Sequence, residues 1–305
     1  MKNFSTVNIE PKLRVRDARP HFNAFTITLL VLLILYAVSL FTPLVWGLLR
    51  SFQKQSEFRL NIIGLPKKLV WNYSYVFKMF FVRVPSAAGV KKVGMGMMFL
   101  YAFLYSLGCA FTSTLIPCVT AYLCARYKFR FSKVIYTTVI VTMVLPIVGA
   151  LPSEIRVAKA LRLYDKLYGL WLMKANFLGL YFLVFHGIFR TLPMAYTEAA
   201  KIDGAGNLSI LVKIILPLVR NTFFTVMLIN FIGFWNDYQT PLIYMPSYPT
   251  IALGMFYMAS TTENGLSTVP MRMTGAMLML IPILALFLCF HKRLLGNLTV
   301  GGLKG

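Results

Sequence analysis

The chain has 305 residues, of which 58% are hydrophobic, 15% aromatic and only 13% charged, and its mean hydropathy is +0.70. Soluble domains carry about 25% charged residues, so a soluble enzyme, a disordered chain and a disulfide scaffold are excluded, leaving a polytopic helical membrane protein. The 31 Lys and Arg against 9 Asp and Glu give a net charge of +22, but these cations lie between apolar stretches, which reads as membrane-flanking charge and not as a nucleic-acid surface.

Residues 1–23 form a polar, basic tail with Lys12, Arg14, Arg16 and Arg19. A first apolar run, Ala24 to Leu49, is too long for a signal peptide and reads as an uncleaved span. Arg50 to Lys92 is a long polar segment with nine basic residues and one acid, Glu57. Spans two and three are expected over Met97–Tyr122 and Val134–Leu151, separated by the basic stretch from Arg126 to Lys133. Ser153–Asp165 is amphipathic and suits the membrane interface. A fourth run covers Leu167–Phe189, a fifth Asn221–Tyr244, and a sixth Met273–Phe290 with Pro282 inside it. Six spans put both termini on one side. With that side cytoplasmic, the inner segments hold sixteen Lys and Arg and the outer ones fourteen or fifteen. The positive-inside rule is therefore weak here, and the first outer loop, residues 50–96, is what weakens it.

Cys109, Cys118, Cys124 and Cys289 lack paired spacing and read as thiols packed between helices. His21, His186 and His291 are far apart, so no metal centre is expected. No nucleophile elbow or carboxylate pair marks a catalytic site.

Between runs four and five, residues 191–218 read as helix, turn, helix. Pro193 fits a first helical turn, Gly204 a left-handed stop, and Asn207 or Ser209 a second cap. Leu208, Leu211, Ile214 and Ile215 make an apolar face, and Pro217 is expected to end it. Glu198, Ala199, Ala200, Asp203, Gly204, Ala205, Ile214, Leu216 and Pro217 stand at the spacing of the EAA loop of ABC importer permeases. The segment closely resembles that loop in its sugar-importer form. Gly233-Phe-Trp-Asn-Asp-Tyr-Gln-Thr-Pro-Leu242, Ile63 to Tyr75, and the Gly301-Gly-Leu-Lys-Gly305 tail are similar to the second permease of maltose-type and polysaccharide-type systems. The likeness lapses between Met79 and Gly94.

The resemblance implies an all-α membrane protein with six transmembrane helices of the type I ABC importer permease fold and a cytoplasmic coupling-helix loop. It implies a six-span domain over residues 24–292 and a cytoplasmic tail from 293 to 305. It further implies a second homologous permease, an ABC ATPase dimer and an extracytoplasmic solute-binding protein as partners. The chain has no Gly-x-x-x-x-Gly-Lys-Ser/Thr loop. ATP and Mg are then expected in the partner ATPase and no cofactor in this chain. Glu198 is the expected polar contact with the ATPase, and Gly204 the turn that shapes the docking helix.

Polar groups inside spans are costly and point to function. Asn176, Tyr181, Asn230, Trp235, Asn236, Asp237 and Tyr238 are the candidates for a carbohydrate path, with interhelical hydrogen bonding as the competing reading of each. The basic outer loop has three readings: a docking surface for an acidic binding protein, attraction of an anionic glycan, or a solvated loop. The expected function is import of a carbohydrate, an oligosaccharide that can be acidic, across the cytoplasmic membrane. The alternatives are an importer of another solute or a channel.

Overall fold

The computed structural model describes residues 23–86, 89–127, 129–145, 149–260 and 266–298, the side chains of Ser86 and of residues 291–298 excepted. Of the expected tails at residues 1–23 and 293–305, residues 1–22 and 299–305 lie outside the described residues, and residues 293–298 continue the last helix. The chain divides into two units between Trp46 and Gly47. The first is the greater part of helix α1, Ala24–Ser51. Three of its hydroxyls, those of Thr28, Ser39 and Thr42, bond back to carbonyls of the same helix, as lipid favours. The hydroxyls of Thr28 and Thr42 donate to the carbonyls of Ala24 and Val38, at 2.9 and 2.8 Å.

The second unit is organised on α4, Met95–Arg126, which packs lengthwise on α11, Leu216–Asn236, and on α8, Leu180–Thr191. At 1.5 Å per residue α4 is about 48 Å long, more than the ~30 Å hydrocarbon layer, so it is long enough to cross it with turns to spare. Among the described residues, four helices are long and apolar enough to cross a membrane, namely Ala24–Ser51, Met95–Arg126, Asn207–Asn236 and Val269–Phe290. The other expected spans are shorter. The third is α5, Arg130–Val144. The fourth is split into α7, Leu167–Met173, and α8, by an extended link in which Gly179 takes φ +115°. The fifth run also breaks. α11 stops at Asn236, and α12, Gln239–Tyr244, starts afresh because Asp237 Oδ1 accepts the Thr240 N–H at 3.0 Å.

Three clusters fill the unit. One joins α3, Tyr73–Met79, to the first half of α4, to α13, Ile251–Ser260, and to α14, Val269–Leu298, around Met98, Phe231 and Trp235. The second, at the other end of α4, holds Tyr122, Phe182, Phe185, Phe189 and Ile215. The third gathers Tyr105, Leu170, Tyr244 and Met245 beneath α6, Leu151–Ala160. Cys109, Cys118 and Cys124 are buried in these clusters and Cys289 is exposed. Gly108 lets Trp171 lie across α4 and donate from Nε1 to the Leu104 carbonyl at 3.1 Å, since a Cβ at Gly108 would collide with the indole ring. Gly108→Ile is expected to destabilise the fold by about 1–3 kcal/mol, read as a lower melting point in detergent.

Residues 51–86 and 89–94 form an ordered layer and not a bare loop. It contains α2, Gln55–Leu60, then α3, then an antiparallel hairpin of β1, Phe81–Ser86, and β2, Gly89–Gly94. The hairpin is the one departure from helix among the described residues. It arises where alternation replaces helical period: Val82, Val84 and Val93 are buried on one face, Arg83 and Lys92 stand on the other, and Lys91 is exposed at the end of the valine face opposite Val84. At its root, Arg50 is fully buried in the last turn of α1. Its guanidinium donates to Gln53 Oε1 at 2.6 Å, to the Asn61 carbonyl at 2.9 Å, and to the Gly64 carbonyl.

Candidate functional site

The segment between α8 and α11 is built in three steps. α9, Ala195–Ile202, begins two residues after Pro193, which therefore precedes the first turn instead of occupying it. Thr197 and Ala200 point inward, whereas Glu198, Ala199 and Ile202 are exposed, Ile202 at 86%. The helix stops on Gly204, whose φ of +77° is costly for any residue with a Cβ, and the Ala205 N–H closes the turn on the Ala200 carbonyl at 2.9 Å. Asp203 is exposed in the turn and Ala205 half-buried. Lys201 lies 6.0 Å over the ring of Tyr127 just beyond α4, which ties α9 to that end of the bundle.

α10, Asn207–Ile210, follows with Gly206 at its N-cap, so neither Asn207 nor Ser209 caps it. Its last turn widens into a π-helical turn, Leu211–Ile215, in which the Leu216 N–H bonds to the Leu211 carbonyl five residues back. This shifts the buried set to Ile210, Leu211 and Ile215, and Leu208 is 73% exposed. Pro217 does not end the helix. It sits in the first turn of α11, where its missing N–H is tolerated beside the wide turn, and the helical run continues to Asn236.

The polar residues of the spans have definite partners. Asn230 Nδ2 donates to Thr114 Oγ1 on α4 at 3.0 Å. Trp235 is 3% exposed and its Nε1 donates to the Met279 carbonyl of α14 at 3.2 Å. Asn236 bonds back to Ile232 in its own helix. Asp237 accepts from Tyr105 at 3.0 Å besides capping α12, and Tyr238 stacks on Phe256 with centroids 4.6 Å apart. Tyr181 packs against the second cluster. His186 lies between Tyr136 and Phe182. Among the described residues, no group of three His, Cys, Asp or Glu side chains stands close enough to hold a metal.

Asn176 has different surroundings. It lines a cavity of about 620 Å³ with Ser153, Glu154, Lys174, Thr240 and Tyr244. Of these only Asn176 stands out in the sequence as a polar group suited to sugar. The others are ordinary interfacial residues until α6, α7 and α12 are folded together.

Residues 116–298 match the family model of the binding-protein-dependent transport system inner membrane component. The chain belongs to that family. The matched stretch contains the whole of α9 to α14 and the cavity. Family relatives include the arabinooligosaccharides transport system permease protein AraQ of Bacillus subtilis, 24% identical over 297 residues, or 94% of this chain and 98% of the relative. The maltodextrin transport system permease protein MdxG of the same organism is 30% identical over 62% of this chain and 69% of its own length. The diacetylchitobiose uptake system permease protein NgcG of Streptomyces coelicolor is 25% identical over 88% of this chain and 86% of its own. A crystal structure of a bacterial ABC transporter involved in the import of the acidic polysaccharide alginate has a chain that superposes with a TM-score of 0.71. It shares 19% identity and covers 90% of this chain and 99% of its own, which establishes the type I permease fold.

Proposed function

We propose that the chain is the permease subunit of an ATP-driven importer that carries an oligosaccharide across the cytoplasmic membrane. The observation that carries this is the exposed helix α9, set between two helical spans in a chain of the binding-protein-dependent transport family. Curated relatives named for oligosaccharide transport support a sugar over another solute.

On this reading the side of α9 is cytoplasmic, and so are both termini. Glu198, Ala199 and Ile202 form the surface that enters a cleft of a separate ABC ATPase. Ala200 keeps the helix close to the bundle, and Gly204 with Asp203 and Ala205 sets the turn. Ile214 and Pro217 lie at the joint into α11. ATP and Mg are bound by the ATPase dimer, whose closure is passed through α9 to α11. A second homologous permease completes the pathway, and an extracytoplasmic binding protein delivers the sugar to the side of the hairpin and α6. A channel would have no use for such a loop.

The first test is purification of the tagged chain from its own membrane in mild detergent, with mass spectrometry of what accompanies it. An ABC ATPase and a second permease in comparable amounts are expected. A chain that purifies without an ATPase would return the channel reading.

A further inference from the structure

The cavity beside α6 has a charge pattern that the carbohydrate reading alone does not require. Its walls are α6, the link after α7 and the start of α12. The polar rim is held in place from behind. The Tyr244 hydroxyl donates to Glu154 Oε2 at 2.6 Å, Ser113 Oγ donates to the Lys174 carbonyl at 3.1 Å, and Asn176 Oδ1 accepts the Leu178 N–H at 3.2 Å. Each of these bonds leaves a binding group over. The Lys174 ammonium, half-buried, and the Asn176 amide nitrogen have no partner among the described residues. A fixed polar rim around a void of this size is the usual form of a small-molecule site.

The balance of charge around it is one-sided. Arg156, Lys159, Arg162 and Lys166 are exposed along α6 and the turn after it. The hairpin adds Arg83, Lys91 and Lys92, and it is tied to the cavity wall because Ser247 donates to the Pro85 carbonyl at 3.1 Å and its N–H donates to Asp165 Oδ1 at 2.9 Å. Arg83 and Lys92 face each other directly across the ladder, both over the ring of Phe81, at 5.9 and 4.7 Å from its centroid. Among the described residues the carboxylates on this side are already engaged: Glu57 by the Lys67 N–H, Glu154 by Tyr244, Asp165 by Ser247, and Asp237 by Tyr105 and the Thr240 N–H. Such a surface concentrates anions at the cavity mouth.

We propose that the cavity is a subsite for an acidic sugar, with Lys174 taking the carboxylate and Asn176, Ser153 and Thr240 taking ring hydroxyls. Glu154 repels the carboxylate and so orients the ring with its acid toward Lys174, while accepting a hydroxyl at the other end. The inference rests on the carbohydrate-importer reading and narrows it to glycans that carry a carboxylate on the sugar.

The test compares uptake of labelled oligosaccharides of two to four hexuronate units with uptake of the same oligosaccharides after their carboxyls are reduced to alcohols. It uses cells that express the intact importer, with and without metabolic energy. Wild-type cells are expected to prefer the acidic form at least tenfold. Lys174→Met should lower the ratio of acidic to reduced uptake at least tenfold, and Lys174→Arg should stay within threefold of wild type. Equal uptake of the two forms by wild type overturns the proposal whatever the variants do. A Lys174→Met ratio equal to that of wild type overturns it as well. Energy-dependent uptake of the reduced form alone defeats the acidic subsite and keeps the sugar importer. Energy-dependent uptake of neither form defeats both.

Discussion

Replacing Glu198 with lysine is expected to lower ATP-driven uptake at least about 100-fold while leaving the chain in the membrane. Glu198 is exposed on α9 and has no intramolecular hydrogen bond or ion pair among the described residues, so its removal costs the fold little. Its place beside exposed Ile202 and Ala199 makes it a charge at the centre of a small apolar surface. Reversing such a charge in an interface costs about 2–5 kcal/mol, of which 2.7 is already a hundredfold. Gly204→Val acts on the same contact from within. It places a β-branched residue at φ +77° and shifts α9 relative to α4, with uptake lowered about tenfold. Membrane insertion is checked by blotting the membrane fraction, and coupling by ATP hydrolysis of the purified complex. Uptake at wild-type level from Glu198→Lys would remove α9 from the coupling path.

Loss of Arg50 is expected to be the most damaging single change to stability. The guanidinium is fully buried with no carboxylate beside it, and its donors reach Gln53 and the carbonyls of Asn61 and Gly64. It thus pins the turn after α2 to the last turn of α1. The same region is sewn from the other side by Asn72 Nδ2, which donates to the Ser51 and Gln53 carbonyls at 2.9 and 3.0 Å. Arg50→Met fills most of the volume but leaves the buried Gln53 Oε1 and the partly solvated carbonyls of Asn61 and Gly64 without their donor, a loss of about 1–3 kcal/mol. Lysine restores the charge without the planar fork and should recover only part. Trypsin provides a direct readout, because Lys54, Arg59, Lys67 and Lys68 all lie in the segment that Arg50 secures. Faster cleavage there, with a lower melting point of the detergent-solubilised complex, is the expected result. Equal cleavage rates would mean that the aromatic group of Phe52, Trp71 and Tyr73 holds the segment unaided.

The long spans were legible in the sequence because lipid demands unbroken apolar length, and α1, α4 and α14 satisfy it. What the sequence left hidden depends on distant partners. α13 is a ten-residue helix after Pro249, too short to read as a span although Thr250 caps it by accepting the Leu253 N–H at 3.3 Å, and it is fixed by packing on α4 and α14. The breaks at 174–179 and 237–238 fall where Lys174, Asn176, Gly179 and Asp237 interrupt the apolar runs, but a polar residue in a run does not by itself say whether the helix stops or continues to a buried partner. Arg50 looked like a solvated charge because the carbonyls that bury it lie eleven to fourteen residues on. Asn230 shows the same limit from the other direction. A polar group in a span announces that it needs a partner, but Thr114, 116 residues away, is identified only by the fold. The turn at Gly204 was legible because one glycine suffices to define it. The continuity of the helix through Pro217 was not, because a π-helical turn lies just ahead of it.

The hairpin has one further property. A two-stranded ribbon has two open edges, and each offers unpaired N–H and C=O groups to any extended segment that meets it. Here Pro85 removes one donor, and Arg83, Lys91 and Lys92 surround the ladder with positive charge. A second copy of the ribbon is repelled before its strands can pair. Those cations therefore guard against self-association as well as drawing anions inward. Variants that neutralise them should be compared at equal monodispersity, with glutamine in preference to valine, so that an aggregated sample is not scored as one that has lost its ligand.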